Sequence, residues 1–238
     1  MIVEICANNF QSALNAQEAG ADRIELCSEL AVGGITPNYG LLKKVSELKI
    51  PVHVLIRPRS GDFMYSDSEF EVMKQNIALC KQLNCSGVVS GVLKKDMSVD
   101  MVRTKALIDF ASPMTFTFHR AFDWTPNPLA TAKKLAEIGV VRILTSGQAV
   151  SAIEGLPMLI QLRKTFNGII LAAGGINLDN VSQFKAHGFE EIHLSVTVHK
   201  KTIDVPKISL NSAKHFDETM QSVSSLSIIK QLISQINA

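Results

Sequence analysis

Eight short apolar runs, rich in β-branched residues, alternate with amphipathic segments along the chain. The runs cover residues 2–6, 23–27, 52–57, 87–92, 114–120, 142–146, 169–173 and 191–196. Helical periodicity fills intervals between them, for example over 10–19, 69–83, 128–138 and 179–186. Regular alternation of strand and helix is typical of parallel βα units, so the sequence predicts an α/β fold, a closed (β/α)8 barrel of the TIM type.

Turn residues and spacing indicate one uninterrupted domain. Four helical segments are expected to end at residues that readily adopt the left-handed conformation: Gly20, Asn84, Gly139 and Gly188. No linker or low-complexity stretch separates the repeats, so we expect a single domain over 1–238. Residues 197–217 lack clear periodicity, whereas 222–237 carry an apolar stripe that predicts a closing helix. An open, doubly wound sheet is the alternative, but it normally has fewer strands and a glycine-rich first turn.

Charge and cysteine content narrow the classes of partner. The chain has 24 Lys and Arg against 22 Asp and Glu, a net charge of +2, which gives no basic surface for nucleic acid or an anionic membrane. No apolar run of about 18 residues predicts a membrane span, and the first residues do not resemble a signal peptide. Four widely spaced cysteines are not the dense framework of a secreted disulfide protein. We therefore expect a cytoplasmic protein, with a homodimer as a possible assembly.

Side-chain alternation places polar residues inside the predicted barrel. On the fifth strand Phe116 and Phe118 belong against the helices, so Thr115, Thr117 and His119 point inward. On three other strands the alternation turns polar pairs inward: Glu4 with Cys6, Glu25 with Cys27, and His193 with Ser195. Barrel interiors are usually filled with branched aliphatic side chains. This composition therefore indicates either a buried ion-pair network or a functional mouth.

Four residues are candidates for moving protons: Glu4, Glu25, His119 and Asp123. Burial of a carboxylate is costly without a paired cation, and Arg57, at the end of the third strand, is the nearest candidate. His119 ends the fifth strand and Asp123 follows in its loop, where a histidine can act as an acid, a base or a metal ligand. The polar residues collect at the carboxyl ends of the strands, where barrel active sites lie, which favours a functional mouth.

The loops at these strand ends predict an anion site. Arg57 and Arg59 follow the third strand, and guanidinium groups bind carboxylate or phosphate oxygens bidentately. Arg59 and Asp62 could instead form a simple surface pair. Turns of small residues are expected after the sixth and seventh strands: Ser146-Gly147 and Gly174-Gly175. Their backbone N–H groups could bind an anion across the mouth.

Four motifs occur in order along the chain: GADRIELC at 20–27, IRPR at 56–59 with GDFMYSD at 61–67, TFHRAFD at 117–123, and LTSG at 144–147. Together they resemble the CutC copper-homeostasis family, and the likeness runs from residue 2 to about residue 195. The resemblance implies a TIM-type barrel, a cytoplasmic role in copper handling, and Cu(I) ligands at Cys6 and Cys27. It also matches the family's histidine and arginines to His119, Arg57 and Arg59. The sequence departs from the family at 196–199, just beyond Ser195, the last expected ligand contact.

Three hypotheses remain open. The first is a copper-homeostasis protein that binds Cu(I) at Cys6 and Cys27, since thiolates suit this soft ion. The second is an enzyme acting on a small anionic or phosphorylated metabolite, which Arg57 and Arg59 would bind. The third is a barrel that catalyses no reaction. Barrel shear offsets equivalent positions on neighbouring strands, so the two thiols could lie in different layers and never meet.

Overall fold

The computed structural model describes residues 1–211 and 216–238. Eight parallel strands close into a barrel in chain order. The strands are β1 Ile2–Ala7, β2 Arg23–Leu26, β3 Val52–Leu55, β4 Gly87–Ser90, β5 Thr115–Phe118, β6 Arg142–Thr145, β7 Ile169–Ala173 and β8 Glu191–Leu194. The predicted (β/α)8 barrel is confirmed, and the doubly wound alternative is wrong because β1 pairs with both β2 and β8.

The helices surround this barrel. They are α1 Phe10–Ala19, α2 Tyr39–Val45, α3 Asp67–Gln82, α4 Met101–Ala111, α5 Pro128–Glu137, α6 Leu156–Thr165, α7 Val181–Ala186 and α8 Leu226–Asn237. Side-chain caps start several of them; Ser66 and Glu69, for example, form a reciprocal capping box at α3. Helix α8 buries Ile229, Leu232 and Ile236 and packs against α1 and α7, so it occupies the eighth position in the ring.

The segment between β8 and α8 differs from the sequence prediction. Strands β9 (Thr197–Lys201) and β10 (Met220–Ser224) form an antiparallel hairpin, so the closing helix predicted over 222–237 begins only at Leu226. The side chains of Asn9 and Asn15 donate to backbone carbonyls of β10 and hold the hairpin over α1. Residues 212–215 of the aperiodic stretch lie outside the described residues.

Several barrel strands end one or two residues before the apolar runs do. The ladder stops there, and inward-facing side chains just beyond the strands line the mouth: Cys27, Arg57, His119 and Ser195. Below them lies an apolar layer inside the barrel that includes Leu55, Leu144 and Leu171. Polar side chains fill the opposite end. Among the described residues, no helix has both the length and the apolar content needed to cross a bilayer.

Candidate functional site

An ion-pair network fills the amino-terminal half of the barrel. Arg23 donates from Nε to Glu4 at 2.5 Å and from Nη2 to Glu191 at 2.5 Å. Arg142 donates to both oxygens of Glu191, at 2.8 and 3.0 Å. The inward direction predicted for Glu4 is confirmed, but Arg57, the cation expected from the sequence, is not its partner. The first residue of β2 takes that place.

His193 connects this network to the upper half of the barrel. Its Nδ1 donates to Glu4 at 2.8 Å and lies 3.3 Å from Glu25. Burial opposes the charged form, but contact with Cys6 and attraction to both carboxylates raise the pKa of His193 well above its ordinary value. Although burial works against ionisation, the same histidine and Arg23 hold the pKa of Glu4 well below its ordinary value.

Glu25 differs from Glu4 because no arginine donates to it in the described hydrogen bonds. Burial raises the pKa of Glu25 to about 7, reinforced by repulsion from Glu4 and opposed by attraction to His193 and Arg23. Of the two glutamates proposed as acid or base, Glu25 is therefore the one that changes protonation near neutral pH. It also lines the cavity above, whereas Glu4 lies beneath.

The thiols of Cys6 and Cys27 meet inside the barrel. Their sulfur atoms are 3.7 Å apart, and both residues are buried. Cys6 pairs in register with Glu25, and Cys27 lies one ladder step beyond the end of β2. The offset that barrel shear imposes on neighbouring strands therefore does not separate the sulfur atoms. The hydrogen bond with Cys27, together with burial, raises the pKa of the Cys6 thiol well above its ordinary value.

These residues form a cluster of metal-ligating types. Cys6, Glu25 and His193 each offer one ligand atom, and these atoms all lie within 4.8 Å of one another. Cys27 adds a second sulfur beside Cys6. Within residues 1–211 and 216–238 no other group of three such residues converges in this way.

A cavity of about 240 Å³ opens above the cluster. Eight of the residues singled out from the sequence line it: Cys6, Glu25, Cys27, Arg57, His119, Gly174, Gly175 and Ser195. The others do not: Glu4, Arg59, Asp62, Asp123, Ser146 and Gly147. The cavity wall also includes apolar side chains, among them Leu30, Leu55 and Leu144.

His119 is held rigidly in the cavity wall. Its Nδ1 accepts the backbone N–H of Ala121 at 3.2 Å, and its ring lies 4.8 Å from that of Phe63. Gly91 makes room for the ring, because a Cβ at that position would lie 2.8 Å from Nδ1. Burial, with repulsion from Arg57, lowers the pKa of His119 to about 3, so the ring is neutral near pH 7.

Arg57 is buried beside His119 and organises the loops around it. It donates to the carbonyls of Val32 at 2.8 Å, Gly34 at 2.7 Å and Gly61 at 2.8 Å. Its guanidinium group lies 5.0 Å from the ring centre of Phe63. Among the described residues, no carboxylate lies within ion-pair distance of Arg57.

Arg59 was predicted to bind an anion in the mouth, but the structure pairs it with carboxylates instead. Arg59 pairs with Glu69 at 2.6 Å and with Asp62 at 3.1 Å, and it also donates to the carbonyl of Met64 at 2.7 Å. Its donors are thus occupied on the outer side of the loop. The geometry matches the alternative interpretation, in which Arg59 and Asp62 form a surface pair.

Asp123 fills the turn that was expected to bind an anion after β6. It accepts the backbone N–H groups of Ser146 and Gln148 and the hydroxyl of Thr145, while the N–H of Gly147 donates to Thr145. Ser146 and Gly147 therefore have no backbone N–H left for a ligand. Asp123 is a positioning residue for this turn, and it does not reach the cavity as an acid or base.

A family model of the CutC family matches residues 1–198. The chain belongs to the CutC family. The CutC family proteins of Proteus mirabilis (strain HI4320) and Edwardsiella ictaluri (strain 93-146) are 46% and 47% identical to it, and the alignments cover 81% and 82% of this chain and 78% of each relative. The resemblance drawn from the four motifs is confirmed.

Solved structures agree with this assignment. The crystal structure of CutC from Streptococcus agalactiae, described as a copper homeostasis protein, matches with a TM-score of 0.76 at 30% identity and covers 81% of this chain and 97% of its own. Thiamine phosphate pyrophosphorylase from Pyrococcus furiosus matches with a TM-score of 0.60 at 13% identity, a likeness of fold alone. The CutC family match ends inside β9, so β10 and α8 lie beyond it.

Sequence reasoning missed most of the ion-pair network. Three of its members are the first residues of their strands and were not selected: Arg23, Arg142 and Glu191. Each lies an even number of positions before an inward-facing residue of the same strand, so each faces inward too. His193 was recognised as inward but not as a site residue. Counting inward positions back to the first residue of every strand would have found Arg23, Arg142 and Glu191.

Proposed function

We propose that this CutC family chain acts in copper homeostasis by binding one Cu(I) ion at the thiols of Cys6 and Cys27. The observation that carries the proposal is the 3.7 Å approach of the two buried sulfur atoms at the floor of a cavity. A cytoplasmic location and a homodimer stay predictions; a reducing compartment would keep both thiols available.

The donor set suits a soft monovalent ion. Metal–sulfur bonds of about 2.3 Å are typical for zinc thiolates, and twice that length exceeds the separation of the two sulfur atoms, so one ion can contact both. Thiolates select Cu(I) over hard cations, which prefer carboxylate and water oxygens. The apolar wall around the thiols, which includes Leu55 and Leu144, further disfavours a strongly hydrated ion.

The surrounding charges are compatible with this cargo. Cu(I) with two thiolates carries a net charge of −1, and deprotonation of Cys6 is unfavourable while the site holds no cation. The imidazolium of His193, held between Glu4 and Glu25, lies beside Cys6 and offsets that negative charge. His193 and Glu25 also remain within reach of an ion at the thiols.

The test is a Cu(I) titration of the full chain under anaerobic, reducing conditions, in competition with a chromogenic Cu(I) chelator. We expect one tight site in the wild type. Loss of a group that only orients a metal ligand lowers metal affinity by about 10–100-fold. Cys6→Ser and Cys27→Ser each remove a ligand, so each should lower the Cu(I) affinity by more than that. The matched control is Cys85→Ser. Cys80 and Cys85 form a second buried thiol contact, but no described histidine or carboxylate joins them in a metal-ligating group.

Two results would contradict the proposal. Wild-type affinity and stoichiometry in both Cys6→Ser and Cys27→Ser would show that these thiols only pack. An equal loss in Cys85→Ser would show that general thiol chemistry or destabilisation, rather than the cavity site, governs the titration. Circular dichroism of each variant checks that the barrel is folded.

A further inference from the structure

Two buried donors in the cavity wall have no acceptor among the described residues. Because Nδ1 of His119 accepts the N–H of Ala121, the proton of the neutral ring is on Nε2. That Nε2 is buried and makes no hydrogen bond to any described residue, and the same is true of Nε of Arg57. Unpaired buried donors are costly, so their presence in a cavity points to an acceptor that a ligand supplies.

The same part of the cavity carries uncompensated positive charge. Arg57 is 6% exposed, and its described hydrogen-bond partners are neutral: three backbone carbonyl groups and the hydroxyl of Tyr65. The carboxylates nearest the cavity are engaged elsewhere: Glu25, in its floor, by His193, and Glu4, beneath it, by Arg23 and His193. A buried guanidinium without a carboxylate favours an anionic ligand.

Arg120, which follows β5, and the glycine turn after β7 add further donors. Arg120 uses Nε for Asp123 at 2.8 Å and Nη2 for the hydroxyl of Ser146 at 2.9 Å, which fixes the guanidinium group and leaves Nη1 available. A Cβ built on Gly174 would lie 3.6 Å from that Nη1. The backbone N–H groups of Gly174 and Gly175 make no hydrogen bond to the described part of the chain. All these groups belong to residues that line one cavity.

We propose that this cavity binds a small organic oxyanion, a carboxylate or a phosphate, independently of the proposed Cu(I) binding. Its oxygens accept from Nε2 of His119, Nη1 of Arg120 and the N–H groups of Gly174 and Gly175, and Arg57 supplies a further positive charge. The volume of about 240 Å³ is below the about 300–1,000 Å³ typical of drug-sized ligands, so the ligand has only a few carbon atoms.

The test is isothermal titration of the full chain, without copper, with three probes: inorganic phosphate, butyrate and the neutral butyramide. We expect saturable binding of at least one anion and none of butyramide. Arg120→Gln should lower the affinity for the anion at least about tenfold, because it removes a charge-assisted hydrogen bond. The matched control Arg59→Gln removes a neighbouring exposed arginine outside the cavity and should leave the affinity unchanged.

The outcomes separate clearly. Binding of phosphate alone or butyrate alone supports the site and assigns the ligand class. Equal binding of butyrate and butyramide, equal losses in Arg120→Gln and Arg59→Gln, or no saturable anion binding would overturn the proposal. Because Arg120 also pairs with the buried carboxylate of Asp123, thermal unfolding of Arg120→Gln checks that the variant is folded at the temperature of the titration. Cys6→Ser should still bind the anion, so failure of Cu(I) binding and failure of this site are distinguishable.

Discussion

Replacement of Arg23 by methionine tests the electrostatic design of the barrel interior. The Arg23 side chain is 9% exposed and bridges Glu4 and Glu191, both nearly inaccessible to solvent. Methionine fills a similar volume but leaves two carboxylates short of a cation. Loss of one partner from a buried ion pair costs about 3–5 kcal/mol. For a chain of this size, about 2–4 °C per kcal/mol converts that loss into a fall in melting temperature of roughly 6–20 °C.

Thermal and urea unfolding, followed by circular dichroism at pH 7, measure this change. The pKa values of Glu4 and Glu191 are held below 4.5 in the folded chain. Their contribution to stability is therefore fully present above that pH and declines as the pH falls from there towards their folded values. Since Arg23→Met removes part of the cause, the difference in unfolding free energy between variant and wild type should be smaller at pH 3.5 than at pH 7.

Lys105→Met is the matched control, because Lys105 pairs with Asp109 one helical turn away and both side chains are exposed. Such a pair contributes about 0.3–0.5 kcal/mol. A loss below about 1 kcal/mol in Arg23→Met, or one no larger than in the control, would refute the reasoning. It would mean that water or Arg142 compensates for the missing guanidinium group.

Two further predictions concern the cavity. Cu(I) affinity should rise between pH 6 and 9 by about tenfold per pH unit for each proton displaced, because the pKa of the Cys6 thiol is raised. The chelator competition measures this affinity, and a value independent of pH would contradict thiolate ligation. Gly91→Ala should displace His119, since its Cβ would lie 2.8 Å from the ring, at a cost of about 1–3 kcal/mol in unfolding free energy. Titration should then show weaker binding of the anion that the wild type binds, with unchanged Cu(I) affinity, and an unaltered anion affinity would argue against a role for that ring.

The barrel could be read from the sequence because local and long-range signals agree. Each strand carries its own apolar run, and residues such as Gly20 and Gly188 adopt the left-handed conformation expected at the turns that follow α1 and α7. The parity of Phe116 and Phe118 likewise fixed the direction of His119. The hairpin of β9 and β10 escaped prediction because its strands are short, mostly exposed and polar, so no alternating apolar face marks them.

The assignment of partners could not be made in this way. Parity places Glu4 inside the barrel, but the choice of Arg23 over Arg57 depends on height along the barrel axis, which strand stagger determines. Similarly, the TSG turn after β6 looks like an anion-binding loop until Asp123, more than twenty residues earlier, occupies its N–H groups. Sequence periodicity predicts the face on which a side chain lies, whereas both outcomes depend on which donors and acceptors the three-dimensional structure brings within bonding distance.

The strand-start charges and the strand-end thiols are linked through His193. An aliphatic interior would usually be at least as stable as buried ion pairs, so stability alone does not account for Arg23, Glu191 and Arg142. Arg23 fixes one oxygen of Glu4, which leaves the other to orient His193 beneath Cys6. The network therefore holds the charged ring of His193 at a defined place under the sulfur atoms. A histidine without these partners would change its orientation whenever its rotamer changed. On this reasoning the polar half of the barrel supports the mouth, and the two halves form one site rather than a core with a site above it.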